Sequence, residues 1–258
     1  ERTDARVRVG LVGDPLAEIK VRIDSLQGNC LAVALSEVTG RPPSSHRGRG
    51  YGEVPLAVKR AASLVLMAVP QVLELRDRGL VRPLTDAGLD LDSLWTEFMD
   101  VMIVGPEDRE WRPHGKGRRN VFTDPEFALK VEQVLDSTDW ASLNRGAAHL
   151  ALAVQTAAAR LQAAADSLAD SAFEYSAETP LGRVMLRGSG NHRYEPGGYL
   201  LTIDVSGDDL YRAGGGTSSA CVPVSVLMDA AGNDTYVQED EEGDASRTAG
   251  AATVPAFG

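Results

Sequence analysis

Residues 201–211 read LTIDVSGDDLY, and residues 226–236 read VLMDAAGNDTY. A third stretch, VMLRGSGNHRY at 184–194, has the same order of parts. Each begins with apolar residues suited to a strand, then has one polar or charged residue and two mostly small ones. Gly follows, then Asn or Asp, a polar residue, any residue, and Tyr. The tyrosines stand at 194, 211 and 236, so the intervals are 17 and 25 residues. One such unit cannot bury its apolar strand alone, whereas stacked copies can. Parallel stacking brings equivalent residues to about 4.8 Å from each other. The spacing therefore predicts a C-terminal parallel β-helix or β-roll with right-handed crossovers. Its structural positions are Gly190, Gly207 and Gly232, where the turn needs φ > 0, and Tyr194, Tyr211 and Tyr236, each covering the edge of the next coil.

Aligned this way, the copies form columns. Ile203 and Met228 are expected to point inward. Arg187, Asp204 and Asp229 form the next column. Asn191, Asp208 and Asn233 follow the glycines, and then His192, Asp209 and Asp234. Carboxylates stacked at strand spacing repel unless water, a hydrogen-bond donor or a cation lies between them. Oxygen-rich turns of this kind suit Ca²⁺, which takes 6–8 oxygen ligands. The structural alternative is a set of Asx turns, in which the side chains bond local backbone. The first copy has His192 where the others have Asp. His192 reads as the cap of the stack, with general base or metal ligand as the alternative.

GDDLY and GNDTY resemble the turns of hemolysin-type (RTX) calcium-binding β-roll repeats. They are more similar still to bacterial exported proteins with dispersed G-(D/N)-D-x-Y repeats. The resemblance covers residues 184–258, under a third of the chain. It implies Ca²⁺ held by Asp208, Asp209, Asn233 and Asp234, and a secreted or cell-envelope location. The RTX pattern of Gly-Gly-x-Gly-x-Asp at nine-residue spacing is not kept here.

The rest of the 258-residue chain has another character. Half of its 26 glycines fall in 179–258, so a boundary is expected near Ala177–Pro180 between an α-helical domain, 1–178, and the repeat region, 179–258. The overall expectation is an α+β chain. Helices are predicted from Asp14 to Gly28, from Gly28 to Val38 with a stop at Gly40, and over 53–79 with a kink at Pro70 and a stop at Gly79. Two more are expected at 91–103 and 124–138. The longest runs over 139–173, with a heptad seam of Leu143, Ala147, Leu150, Val154, Ala157, Leu161, Ala164 and Leu168. That seam fits packing on its own domain, or self-association. VPVSV at 222–226 is echoed by VPAFG at 254–258, which predicts a further coil beyond Gly258 and a truncated array.

The net charge of −11 disfavours nucleic-acid binding, which draws on a basic face. The basic stretch 106–120 lacks the P-loop spacing and reads as a solvated loop. Cys30 and Cys221 offer no zinc spacing, and read as buried residues or as one disulfide. No apolar run in the sequence reaches the roughly 18 residues of a membrane span. No nucleophile elbow, HExxH or Cys–His signature occurs, so no catalytic residue is assigned. The expected function is non-catalytic: a structural or adhesive repeat protein, stiffened by Ca²⁺. The alternative is a polysaccharide-acting enzyme using Asp204 and Asp229 on the β-helix face.

Overall fold

The computed structural model describes residues 14–90, 93–94, 125–212 and 222–237. The basic stretch 106–120, Cys221 and the VPAFG echo lie outside those residues. So does nearly all of the helix expected at 91–103. Two compact units are present. One draws on residues up to Val72 and from Ala147 onward, the other on Leu73–Gly146.

The first unit opens with α1 (Ala17–Leu26), preceded by Asp14, whose Oδ1 accepts the Leu16 N–H at 2.9 Å. The helix stops before Gly28: Gln27 turns to φ 49° and a 3₁₀ turn carries the chain into α2 (Cys30–Thr39). As expected, α2 ends at Gly40, left-handed at φ 69°, with its N–H on the Ser36 carbonyl at 2.8 Å. Next is α3 (Leu56–Arg76). Every residue from Ala61 to Val69 is buried, so this helix is apolar all round and forms the centre of the core. It runs on through Pro70, whose side is exposed. Helical residues 56–86 are long and apolar enough to cross a membrane by length and composition. Of the window that meets this test, 67% is buried in protein, as in a core helix.

The second unit corrects the expected stop at Gly79. A wide π turn (Asp77–Val81) leads into α4 (Arg82–Asp86), and the helix closes only at Gly88, φ 75°. Gly79 serves close approach instead. A Cβ there would lie 2.9 Å from the Asp139 carbonyl oxygen and from Leu143 Cγ. Its own carbonyl accepts the Asp139 N–H at 2.8 Å. In the same unit α5 (Pro125–Ser137) is tied back by Gln133, which donates to the Ala87 carbonyl at 3.0 Å.

Asp139 starts α6 (Trp140–Ala163), accepting from the Ser142 N–H at 3.1 Å and hydroxyl at 2.6 Å. The expected 139–173 helix is shorter than read. It breaks at Ala164, resumes as α7 (Ala165–Leu168), and the chain is already a strand at Glu174. The first half of its seam is displaced by one position: Ser142, Gly146, His149 and Ala153 are buried, while Ala147 is exposed; Ala157, Leu161 and Leu168 are buried as expected. Ala153 packs with Leu16 and Ala68, so this face is already engaged within the chain.

Among the described residues seven strands follow. β1 (Glu174–Thr179) and β2 (Gly182–Ser189) form an antiparallel hairpin, and β2 continues in parallel to β4 (Tyr199–Ser206) and β6 (Val226–Asp229). β3 (Arg193–Tyr194), β5 (Leu210–Tyr211) and β7 (Thr235–Tyr236) make a second, wholly parallel sheet. The chain is thus α+β, with helices first and strands last. Arg187, Asp204 and Asp229 share one register position, as do Tyr194, Tyr211 and Tyr236. Those pairings match the alignment of the three copies. Ile203 and Met228 are buried, as expected. Met185 and Leu227 pack with the tyrosines, and Asp204 and Asp229 bond to their hydroxyls. Two tyrosines bind helix-side segments to the strands within this unit. Tyr175 donates to the His46 carbonyl at 2.8 Å, and its ring meets Tyr51 edge-on at 5.7 Å.

Candidate metal centre

The repeat's turns work because glycine sits at their tightest point. Gly190, Gly207 and Gly232 have φ of 129°, 146° and 150°. At Gly207 a Cβ would lie 2.1 Å from the Gly190 carbonyl oxygen, and at Gly232 only 1.7 Å from that of Gly207. Glycine is thus needed for backbone conformation and for stacking. Past each glycine, the two Asx columns clasp neighbouring turns in opposite senses. In the outer column Asn191 Oδ1 accepts the Asp208 N–H at 3.0 Å, and Asp208 Oδ1 accepts the Asn233 N–H at 2.9 Å. In the inner column the acceptor is one rung later. Asp209 Oδ1 takes the His192 N–H at 2.6 Å, and Asp234 Oδ1 takes the Asp209 N–H at 2.9 Å.

Each turn is followed by its tyrosine, and the three rings form a column. Tyr194 stacks on Tyr211 at 4.6 Å and 3°, and Tyr211 on Tyr236 at 4.9 Å and 9°. Near-parallel rings at strand spacing are imposed by the parallel register, since free aromatic pairs favour offset or edge geometry. Arg187 covers the first ring at 4.8 Å while bonding Glu174 Oε1 at 2.9 Å. Each hydroxyl reaches one rung ahead: Tyr194 donates to Asp204 Oδ2, and Tyr211 to Asp229 Oδ2 at 2.9 Å. These are the donors that separate the stacked carboxylates.

Two acidic clusters result. His192, Asp204 and Asp209 bring one ligand atom each within 4.8 Å of one another, and so do Asp209, Asp229 and Asp234. Asp204 is fully buried and Asp209 is 2% exposed. Burial pushes Asp204 up to about 7, with Asp209 acting in the same direction, and burial with Asp234 beside it pushes Asp229 up to about 7. Burial, and then Arg187, hold His192 below its ordinary value. Among the described residues, two buried carboxylate oxygens have no hydrogen-bond partner: Asp209 Oδ2 and Asp229 Oδ1. Unpartnered buried oxygens beside other carboxylates are costly as anions. A shared proton or a cation would relieve them, so the clusters are able to hold a metal ion.

Of the four residues expected as ligands, the structure brings Asp209, buried, and Asp234, half-buried, together in one cluster. Asp208 and Asn233 lie on the exposed outer column, with their amide hydrogens or oxygens engaged between turns. Asp229, Asp204 and His192 join the clusters instead. The signal for the aspartates was present: Asp204 and Asp229 each precede a repeat tyrosine by seven residues. Apart from this centre, a cavity of about 630 Å³ lies along β1, lined by Arg41, His46, Arg49, Glu53, Glu174 and Glu178 among others.

No protein-family model, curated protein or solved structure matches this chain.

Proposed function

We propose that the two parallel sheets are the walls of a parallel β-helix of β-roll type, and that the chain is a non-catalytic repeat protein of a bacterial cell envelope or secretion. Its role is structural or adhesive, and Ca²⁺ stiffens its coil interior. The supporting observation is the continuous ladder of Gly, Asx and Tyr across three rungs, in which every turn bonds its neighbour. Such a ladder gives rigidity along one axis, which suits a spacer or an adhesive stalk. The exported location rests on the likeness of GDDLY and GNDTY to exported repeats. Asp209, Asp229 and Asp234 are the all-oxygen set for Ca²⁺, with water completing the shell.

The alternative, a polysaccharide-acting enzyme using Asp204 and Asp229, has weaker support. Asp204 is sealed beneath the tyrosine column, where no sugar can reach it.

Thermal unfolding with and without Ca²⁺ tests the favoured reading. At a concentration about 100-fold above Kd, bound Ca²⁺ adds roughly 2.7 kcal/mol, a shift of several degrees in Tm. EGTA should abolish the shift, and so should Asp234→Asn. An identical Tm in Ca²⁺ and in EGTA would remove the calcium role.

A further inference from the structure

We propose that the first rung is a second metal site of different character: His192 Nδ1 and the carboxylates of Asp204 and Asp209 take a divalent transition-metal ion of the zinc type. The repeat has Asp at this position in its other copies, Asp209 and Asp234, so histidine introduces the one nitrogen donor of the ladder. Imidazole with carboxylate suits zinc-like ions, whereas Ca²⁺ prefers oxygen alone.

The geometry is close to that of a ligand set. Around an ion with bonds of about 2.1 Å, neighbouring ligand atoms lie roughly 3.0–3.4 Å from each other. His192 Nδ1 lies 2.9 Å from Asp204 Oδ2 and 3.6 Å from Asp209 Oδ1, which brackets that range. The ligand atoms of His192, Asp204 and Asp209 all lie within 4.8 Å of one another.

Asp209 supplies independent evidence. Its side chain is almost wholly buried, yet Oδ2 has no hydrogen-bond partner. Its Oδ1 accepts the His192 N–H, which holds the carboxylate beside the imidazole and leaves Oδ2 for a cation. Arg187, the cation of this column, is paired with Glu174. His192 retains 20% side-chain exposure, which leaves the ion a way in from solvent. Tyr194, donating to Asp204 Oδ2, orients that carboxylate from behind.

The site shares Asp209 with the all-oxygen cluster but does not depend on it. Zn²⁺ titration of the whole chain, competed by a chromophoric chelator, tests it, with Co²⁺ as the spectroscopic probe of nitrogen ligation. One Zn²⁺ per chain should bind, and His192→Asp should weaken Zn²⁺ by about tenfold or more while strengthening Ca²⁺. Asp209→Asn, which keeps an acceptor for the His192 N–H, should weaken Zn²⁺ too, with near-ultraviolet circular dichroism confirming the fold of both variants. Asp234→Asn should leave Zn²⁺ binding in place, so that loss of the calcium role and loss of this site are separate results. The proposal is overturned if no Zn²⁺ binds at roughly 100 µM, a free energy of only about −5.5 kcal/mol. It is equally overturned if Zn²⁺ binds the same in wild type, His192→Asp and Asp209→Asn, which would place the ion elsewhere.

Discussion

At the scale of single residues, the three repeat glycines are not equivalent, although their backbone conformations are alike. Gly190 begins the ladder, and the nearest atoms to a Cβ there belong to the His192 ring, 3.7 Å away. Gly207 is pressed on the Gly190 carbonyl, with 2.1 Å for a Cβ. Alanine at 190 meets only the strain of a positive φ, about 1–3 kcal/mol. Alanine at 207 meets that strain and a backbone collision that cannot relax without parting the rungs, so its cost should exceed about 4 kcal/mol. Urea unfolding of Gly190→Ala and Gly207→Ala measures the difference. Equal losses would mean that conformation alone, and not stacking, demands glycine in this column. The position of these glycines was legible in the sequence because a positive φ leaves few other choices. Gly79 was misread for the same reason: a glycine ending an apolar run looks like a cap, whereas here it admits the backbone at Asp139.

At the scale of the element, the pairing of strands was legible and the direction of their faces was not. Gly and Tyr recur at fixed offsets within each copy, which sets the register of β2, β4 and β6 without knowledge of the loops. An aspartate in the middle of LTIDVS, however, looks like the wet side of a half-buried strand. β4 is buried on both faces, so alternation carries no outside and the usual inference fails. His192 stood out as an alternative metal ligand, but its partners were hidden, because Asp204 and Asp209 come from the following rung. In its first half the heptad of α6 erred by one position, because its many alanines make adjacent stripes nearly equal in hydrophobicity; at Ala157, Leu161 and Leu168 it matches. The tyrosine ladder has a direct test. Tyr211→Phe keeps the stacked ring and removes the only hydroxyl seen on Asp229 Oδ2 among the described residues. With Asp229 already lacking a partner at Oδ1, the change should cost about 1–3 kcal/mol. In an Asp229→Leu background, where no acceptor remains, the same change should cost far less. A double-mutant cycle by urea unfolding reads this coupling. Coupling near zero would show that the hydroxyls are incidental and that ring stacking alone holds the column.

At the scale of the whole molecule, glycine content suggests a cut near residue 178, but packing joins what lies on either side of it. The compact unit that holds the strands also holds residues up to Val72 and from Ala147 onward. β1, just before the compositional change, is the hairpin partner of β2. Tyr175 on β1 bonds the His46 carbonyl and touches Tyr51, which in turn donates to the Gly28 carbonyl at 2.8 Å. Cutting at 178 would therefore expose the edge of β2 and uncover Val184, Leu186, Leu201 and Ile203, all fully buried in the intact chain. At about 25 cal/mol per Å² of apolar surface, re-exposing four such side chains costs several kcal/mol, comparable to the whole stability of a small domain. Segment 179–258 expressed by itself should thus lack a cooperative thermal transition and show poor amide dispersion in a proton–nitrogen NMR spectrum. The whole chain, in contrast, should lose its strand signal and its core-helix signal together on heating, with Tyr175→Phe lowering both midpoints equally. A well-dispersed spectrum from 179–258 alone would show that the ladder is self-sufficient and that its contacts to Tyr51 and His46 are mere docking.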